Sequence, residues 1–359
     1  MFGFKKDKAL VGLDIGSDTV KVLELDIRKK GKRSVYSVLR IGFEPLPHDA
    51  IVEGQIIDAA AVAETIRTAF DKAKIASKDV VISIAGNSVI IKKIALPAME
   101  SEELAESIIW EAKHNIPYPY EETNVDYAIL RPPTEGGERG LEILLVAVKK
   151  DKIAAYANVL NQARKNLAAI EVDAFALFNA LEINYPEEFT EKTVALINIG
   201  ANITTIVIVD RGTPQLFRDL SIGGAYFAEN IRKDLNVGPQ EADNLLRGLP
   251  SKSVEPFQVE AVLAMNIKGL VEEVEKTFTF FQAENKKDNR IEHIFLAGGL
   301  ANLQGITAAV EQKFGVKTTL FDPFRRVHYN EKKLDRAIYQ EMAPMFGVVT
   351  GLATRIKEK

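Results

Sequence analysis

Two stretches of the chain follow one pattern and decide the fold. The first is ALVGLDIGSDTVKVLELD, residues Ala9–Asp26, and the second is VALINIGANITTIVIVD, residues Val194–Asp210. In each, an apolar run enters a polar turn at a glycine and leaves through alternating β-branched residues, the pattern of a β-hairpin. Strand–turn–strand pieces are common in α/β proteins, so this pattern alone leaves two unrelated hairpins open.

The composition bounds the class of protein. The chain has 359 residues, 47% hydrophobic and 27% charged, which indicates a folded protein of two domains or two lobes. The net charge of −4 gives no general attraction to nucleic acid or to anionic lipid. The absence of cysteine excludes disulfides, thiol catalysis and cysteine zinc sites. We expect a cytoplasmic protein without a signal peptide or a membrane span.

A third glycine signal lies late in the chain. Ile291–Ala297 is a short apolar strand that ends in Gly298-Gly299, and the helical pattern Gly305–Phe314 follows. A strand that runs into a glycine pair and then a helix lets backbone amides approach a phosphate or a nucleoside closely. Together with the two hairpins, this strand predicts a nucleotide site.

These three motifs resemble the two phosphate loops and the adenosine loop of the actin superfamily. They are DIGSDTVK at 14–21, NIGANIT at 198–204 and FLAGGLANLQGI at 295–306. Within that superfamily the chain resembles the PilM family of type IV pilus assembly proteins. The residues that carry this resemblance are LPHDAIVEGQIID at 46–58, HNIPY at 114–118 and PMFGVVTGLA at 344–353.

The resemblance implies an α/β, actin-like fold: two RNase H-like lobes around a nucleotide cleft, with an αβ subdomain inserted as in FtsA. The expected domains are a first lobe at 1–85 and 168–193, an inserted subdomain at 86–167, a second lobe at 194–235 and 287–330, its helix-rich outer part at 236–286, and a C-terminal helix at 331–359 that returns to the first lobe. The sequence of the insert agrees, because strand patterns alternate there with helical patterns at 101–115 and 151–166.

The resemblance also implies that the chain binds ATP and Mg²⁺. Asp14 would hold Mg²⁺ through water, and Lys21 would bind phosphate. Seven residues along one continuous strand would place these two side chains on opposite faces, so the turn is expected to bring the lysine round. A solvated turn aspartate and an exposed strand lysine are the structural alternatives. The expected cofactor-binding residues are Asp14, Gly16, Ser17, Asp18, Thr19, Lys21, Asn198, Gly200, Ala201, Asn202, Asp243, Arg247, Gly298, Gly299, Leu300 and Asn302.

The second loop departs from the actin pattern. Asn198 and Ala201 stand where carboxylates are usual, and an amide cannot take up a proton as a carboxylate can. We therefore expect at most slow hydrolysis, with the nucleotide acting through its binding. Asp173 and Glu171 are candidates to position the attacking water, and Asp173 has the alternative role of a helix-capping carboxylate.

At the base end, actin-like families carry an E-x-x-K-R helix that brackets the ribose and the purine. Here the corresponding residues are Asp243, Leu246 and Arg247. Asp243 would accept a hydrogen bond from a ribose hydroxyl, and Arg247 would stack on the ring. The family lysine is missing.

The function implied is an ATP-binding scaffold of the pilus inner-membrane alignment complex. It would bind the N-terminal cytoplasmic peptide of PilN between the first lobe and the insert, contact other inner-membrane pilus proteins, and lie at the inner membrane face through them. Trp110, the single tryptophan, is either a core residue or part of that peptide surface. An active ATPase or small-molecule kinase and an FtsA-like membrane-tethered filament are the alternatives, and self-association stays open.

Overall fold

Both predicted hairpins form in a computed structural model, which describes residues 9–30, 33–52, 54–131, 140–284, 290–329 and 341–356. The strands in these ranges are β1 (Val11–Ile15), β2 (Thr19–Lys30), β3 (Arg33–Pro45), β4 (Ile51–Val52), β5 (Gln55–Ile56), β6 (Asp79–Ile84), β7 (Val89–Leu96), β8 (Thr123–Arg131), β9 (Leu141–Lys149), β10 (Asn166–Val172), β11 (Thr193–Ile199), β12 (Thr204–Asp210), β13 (Thr213–Leu220), β14 (His293–Ala297), β15 (Thr318–Leu320) and β16 (Val327–His328). The α-helices are α1 (Ala59–Lys72), α2 (Ser101–Asn115), α3 (Lys150–Gln162), α4 (Asp173–Asn184), α5 (Pro186–Glu191), α6 (Gly224–Asp234), α7 (Pro239–Leu246), α8 (Pro256–Glu284), α9 (Ile306–Phe314) and α10 (Gly347–Ala353).

Two sheets repeat one five-strand architecture, to which the first sheet adds the edge strand β16. The first has the order β10-β6-β1-β2-β3-β16 and the second the order β15-β14-β11-β12-β13. In each, an antiparallel three-strand meander begins at the central strand, and two further strands lie parallel to that strand on its other side. The similar sequence patterns of the two hairpins therefore correspond to equivalent positions in two similar sheets. Below, the first repeat and the second repeat mean these two sheets with their helices.

Helices cover the central strands on both faces, and this explains why the strands are apolar throughout. Every residue of β1 and β14 is buried. Helices α1 and α3 pack on one face of the first sheet, and α4 and α10 lie on the other. The Asp58 carboxylate starts α1 by accepting a hydrogen bond from the Ala61 amide at 2.9 Å.

A third sheet, with the order β7-β9-β8, lies within the range predicted for the insert. One face of α2 fills its core through Leu104, Ile108 and Ala112. Helix α3 is different: it connects β9 of the third sheet to β10 of the first sheet, and its Tyr156 and Val159 are buried in the core of the first repeat. Packing thus places α3 with the first repeat and not with the insert expected to extend to residue 167.

The end predicted for this helix is also wrong, because Asn166 already belongs to β10. Arg164, with φ of 59°, leaves the helical region two residues earlier. The remaining domain limits stay predictions.

The C-terminal segment packs on the first repeat through α10. The contact is close: a Cβ on Gly12 of β1 would lie 2.6 Å from the Val349 carbonyl oxygen. Of the C-terminal helix predicted at 331–359, residues 331–340 and 357–359 lie outside the described residues, and Ala343–Phe346 form a 3₁₀ turn before α10. Within the described ranges, no helix combines the length and the apolar character needed to span a membrane.

Candidate functional site

The first hairpin carries a buried ion pair. Its turn is closed by a hydrogen bond from the Gly16 amide to the Thr19 carbonyl oxygen at 3.1 Å. Asp14 and Lys21 are direct partners across the strands, and the Lys21 Nζ lies 3.0 Å from the Asp14 Oδ2. Each residue is only 8% exposed. The turn thus brings the lysine round to the aspartate, because residues paired across a hairpin share one face.

The second hairpin has the same turn without the charges. The Gly200 amide donates to the Ile203 carbonyl oxygen at 2.9 Å. Asn198 and Thr205 occupy the places of Asp14 and Lys21. The hairpin motif is thus duplicated, but the ion pair is not.

The turn of the second hairpin is joined to the start of α6. The amides of Gly224 and Ala225 donate to the carbonyl oxygens of Gly200 and Ala201 at 3.0 and 2.8 Å. A Cβ on Gly223 would lie 2.6 Å from the Ala201 oxygen, so this close approach needs a glycine. Gly223-Gly224 was not predicted as part of the site, although it is a glycine pair before a helix, the same signal as Gly298-Gly299.

Asp173 faces the charged hairpin from the neighbouring strands. β1, β6 and β10 are parallel, so their carboxyl ends meet at one edge of the sheet, where Asp173 follows β10. Burial, followed by the negative charge of Asp14, raises the pKa of Asp173 to about 7, and the Ser83 hydroxyl and the Lys21 ammonium act in the opposite direction. Val172 occupies the N-cap position of α4 and Asp173 is the acidic residue of its first turn, so a role of this carboxylate at the helix N-terminus stays an alternative.

Glu171 lies in a different environment. Its buried carboxylate forms an ion pair with Arg355, close to the end of the described chain. The structure therefore places only one of the two predicted catalytic carboxylates, Asp173, beside Asp14. The catalytic role of either residue stays a prediction.

Two further charged groups meet at the loop that follows β6. The Lys152 Nζ donates to the Ala85 carbonyl oxygen at 2.8 Å, and the Gly86 amide donates to the Asp219 Oδ2 at 2.8 Å. Burial lowers the pKa of Lys152, and the carboxylates of Asp173 and Asp219 are among the charges that oppose the shift. In the sequence, Gly86 interrupts the β-branched run Lys78–Ile91, whereas Lys152 and Asp219 have no local signal.

An exposed ion pair joins the two repeats across the space between their hairpin turns, which is called the cleft below. Arg247, at the end of α7, lies 3.6 Å from the Asp18 carboxylate in the first turn, and both side chains are more than half exposed. A hydrogen bond with Asp49 is the main cause that raises the pKa of His48, and the charges of Asp243 and Asp18 add to it. Asp243 of α7 and Arg247, the residue that ends this helix, therefore lie close to the first hairpin turn.

The glycine pair after β14 lies against the second hairpin. Gly298 has φ of 93° and donates its amide to the Pro344 carbonyl oxygen at 2.8 Å. A Cβ here would lie 2.3 Å from the Ile199 oxygen, so no other residue fits. The Leu300 amide donates to the same oxygen at 3.2 Å, while Gly299 is exposed with open space above its Cα.

The remaining predicted residues lie in the turns. Ser17, Thr19 and Asn202 are half-buried. The Asn302 side-chain amide donates to the Glu341 carbonyl oxygen, which ties the glycine-pair loop to the C-terminal segment. In the part of the chain that the structure describes, no three or more Asp, Glu or His side chains are grouped so as to hold a metal ion. The role of Asp14 toward Mg²⁺ stays a prediction.

Comparison with solved structures defines the class. The chain is similar to the ethanolamine utilization protein EutJ of Carboxydothermus hydrogenoformans, at a TM-score of 0.55, 12% identity and coverage of 98% of this chain and 92% of that one. It is similar to MreB5 of Spiroplasma citri bound to ADP, at a TM-score of 0.51, 14% identity and coverage of 96% and 94%. The cell division protein FtsA of Bacillus subtilis is 25% identical over 311 residues, 79% of this chain and 67% of FtsA. The fold is that of the actin-like ATPases, as the motifs predicted.

The family follows from a match along nearly the whole chain. The model of the type IV pilus assembly protein PilM family matches residues 12–357, and the chain belongs to that family. A solved PilM-PilN type IV pilus biogenesis complex has a similar chain, at a TM-score of 0.85, 25% identity and coverage of 98% of this chain and 99% of that one. The resemblance drawn from the sequence is confirmed.

Proposed function

We propose that this chain is a cytoplasmic ATP-binding scaffold of type IV pilus assembly that binds the N-terminal peptide of PilN. It would lie at the inner membrane face through that peptide and through other pilus proteins. Membership of the PilM family and the likeness to a PilM-PilN complex support this proposal. The observation that carries the nucleotide part is the buried Asp14–Lys21 pair on the first of two duplicated glycine turns.

The first hairpin has the groups that a polyphosphate needs. The Lys21 ammonium has three donor positions, of which Asp14 uses one, and charge-assisted hydrogen bonds to phosphate are strong. The turns at Gly16 and Gly200 would present backbone amides to phosphate oxygens. In this proposal, Lys21 binds phosphate while Asp14 fixes the position of the ammonium.

The carboxylates beside this hairpin fit a magnesium ion. Burial and the negative charge of Asp14 raise the pKa of Asp173, and the Lys21 ammonium opposes this shift. Hard oxygen donors suit Mg²⁺, and the ion would neutralise charge on the phosphates. Asp14 would hold it through water, and Asp173 would orient a water molecule at the same edge of the sheet.

The base-binding part of the proposal requires one rearrangement. For Arg247 to stack on a purine, its guanidinium must leave the Asp18 carboxylate. Exposed ion pairs contribute about 0–1 kcal/mol, so this change costs little. Asp243, on the same helix, would accept from the ribose, and the backbone at Gly298 and Gly299 would face the nucleoside.

The inserted sheet offers an apolar surface for the peptide. Trp110 is 58% exposed and stacks on His114 at 3.9 Å between ring centroids, so it is not a core residue. Tyr127 and Ile129 are exposed on β8, which is an edge strand of this sheet. An extended peptide that adds to a strand edge places alternate side chains against such residues.

Two calorimetric titrations test the proposal. ATP with Mg²⁺ and a synthetic PilN N-terminal peptide should each bind the purified full chain with one site. A chain that binds no ATP would overturn the nucleotide part, and one that binds no peptide would overturn the scaffold part. A parallel pull-down from cell membranes, with and without ATP and Mg²⁺, identifies other inner-membrane partners.

A further inference from the structure

One peptide group at the floor of the cleft is held from both repeats. The carbonyl oxygen of Ala85 and the amide of Gly86 belong to the same peptide bond. The first accepts from Lys152 of α3 and the second donates to Asp219 of β13, each at 2.8 Å. A cation of the first repeat and an anion of the second thus clamp the two ends of one peptide dipole.

The clamp is anchored on both sides. The other Asp219 oxygen, Oδ1, accepts from the Thr205 hydroxyl at 2.7 Å, which fixes the carboxylate to the second hairpin. Gly86 has φ of 86°, and a Cβ there would lie 3.0 Å from the Ile203 side chain of the same hairpin turn. The loop after β6 is therefore seated on the second hairpin, although it belongs to the first repeat.

Further contacts join β13 of the second repeat to elements outside that repeat. The strand that follows Gly86, β7, contacts β13 through a hydrogen bond from the Lys93 Nζ to the Gln215 Oε1 at 3.3 Å. Phe175 of α4 meets Phe217 of β13 edge to face, with ring centroids 5.0 Å apart. Strand β13 thus touches the inserted sheet, and Asp219 is the residue through which it touches the cleft floor.

We propose that Asp219 and Lys152 are positioning residues of the nucleotide site, which hold the two repeats closed on bound ATP by clamping the Ala85–Gly86 peptide. The proposal rests on the proposed nucleotide binding. Neither residue needs to contact the ligand. Loss of either partner lets the cleft open more often, and a ligand held between the repeats then leaves faster.

The solvent exposure of Asp219 and Lys152 limits the expected change in the ATP dissociation rate. Asp219 is exposed to the cleft and Lys152 is half-buried, so water screens part of each bond. We expect the ATP dissociation rate to rise about three- to tenfold in Asp219→Ala and in Lys152→Ala. Because both residues act on one peptide group, the rate increase in the double variant should be smaller than the product of the two single increases.

Matched variants control for the loss of a similar bond elsewhere. Lys150→Ala removes a lysine bond to the Glu121 carbonyl oxygen, two residues before Lys152 and away from the cleft floor. Asp210→Ala removes an Asp–Thr bond, to Thr193, and the ion pair with Arg211, and both of these partners belong to the second repeat. Both should leave ATP dissociation at the wild-type rate.

The experiment measures displacement of a fluorescent ATP analogue by stopped flow, and amide hydrogen exchange without nucleotide. Exchange of the segment that contains Gly86 should become faster in Asp219→Ala and stay unchanged in Asp210→Ala. Wild-type dissociation rates in both clamp variants, or multiplicative effects in the double variant, would overturn the inference. If the native chain binds no ATP, the proposed function fails, and unchanged exchange at Gly86 overturns the clamp by itself.

Discussion

Asp14 and Lys21 face each other across the first hairpin, with 3.0 Å between the carboxylate Oδ2 and the ammonium Nζ. At the same positions of the second hairpin stand Asn198 and Thr205, which carry no charge. The duplicated fold thus has a charged and a neutral copy of one turn. This asymmetry predicts that the first turn supplies most of the binding energy for phosphate.

Lys21→Ala should weaken ATP binding by about ten- to a hundredfold, because a charge-assisted hydrogen bond contributes roughly 1.5–3 kcal/mol. The variant should also lose about 1–3 kcal/mol of unfolding free energy, since Asp14 stays buried without its partner. Calorimetric titration with ATP and Mg²⁺ and urea denaturation measure the two effects.

Lys72→Ala is the matched control. Lys72 pairs with Glu44 at 2.8 Å, but it is 67% exposed, so its loss should cost less than about 1 kcal/mol and leave ATP affinity unchanged. Equal ATP affinity of Lys21→Ala and the native chain would remove Lys21 from the site.

Asp173 should make stability depend on pH in a defined direction. Its folded pKa of about 7 lies above the ordinary 3.8, so the folded state holds this proton more tightly and loses stability as pH rises from about 4 to 7. Relative to the native chain, Asp173→Asn should gain about 1–2 kcal/mol over that range, a value reduced for screening by cleft water.

Urea denaturation at pH 5 and pH 8 checks this, because the difference in unfolding free energy between Asp173→Asn and the native chain reports on this one carboxyl group. Asp234→Asn, an exposed substitution on α6, should differ from the native chain by the same unfolding free energy at both pH values. A difference for Asp173→Asn that does not grow with pH would contradict the assignment of the raised pKa.

The hairpins, the glycine-pair loop and the repeat could be predicted from sequence, because each rests on local patterns of glycine and β-branched residues. The pairing of Asp14 with Lys21 depends on register: a four-residue turn puts both on one face, which spacing along a strand does not reveal. The end of α3 was missed because Arg164 turns the chain at a point where the helical pattern continues.

The cleft floor could not be predicted for a different reason. Lys152 and Asp219 are brought to one peptide bond by the packing of α3 and β13, which are remote from each other in the chain. Glu171 and Asp173 are two residues apart, yet one pairs with Arg355 and the other faces Asp14. Such differences depend on tertiary contacts that no local pattern encodes.

Hydrolysis should be slow. Typical enzymes turn over near 10 s⁻¹, and with Asn198 and Ala201 in place of carboxylates we expect phosphate release far below that rate. The residual rate should fall further in Asp173→Asn, whose native carboxyl has a pKa close to neutrality and suits proton transfer. Glu171→Gln should leave the rate unchanged, because that carboxylate pairs with Arg355. Phosphate release near 10 s⁻¹ by the native chain would contradict this prediction.

Peptide binding should depend on the inserted sheet. Trp110→Ala and Ile129→Ala should each weaken the PilN N-terminal peptide by about five- to thirtyfold, since a few exposed apolar anchors carry most of the energy of such contacts. Phe257→Ala, which removes a 69% exposed aromatic side chain from α8, should have no effect. Calorimetric titration with the peptide measures these affinities. Equal affinities for all three variants would show that the peptide binds at a different surface.

Two helical glycines should respond in opposite directions to the same substitution. Gly351 lies in α10, and a Cβ there would fall 1.7 Å from the Ala176 carbonyl oxygen of α4. Gly269 lies in α8, and apart from the adjacent backbone of that helix no atom comes within 4 Å of the position of its Cβ. Alanine is favoured over glycine inside a helix by about 1 kcal/mol, so propensity alone predicts a gain at both sites.

Close packing reverses the predicted gain in stability at Gly351 but not at Gly269. Gly351→Ala forces α10 away from α4, and we expect a loss of about 3 kcal/mol or more, while Gly269→Ala should gain about 0.5–1 kcal/mol. Urea denaturation of the two variants measures both changes. A Gly351→Ala protein as stable as the native chain would show that α10 does not pack against α4 as closely as described, and with it that the C-terminal segment is not fixed to the first repeat.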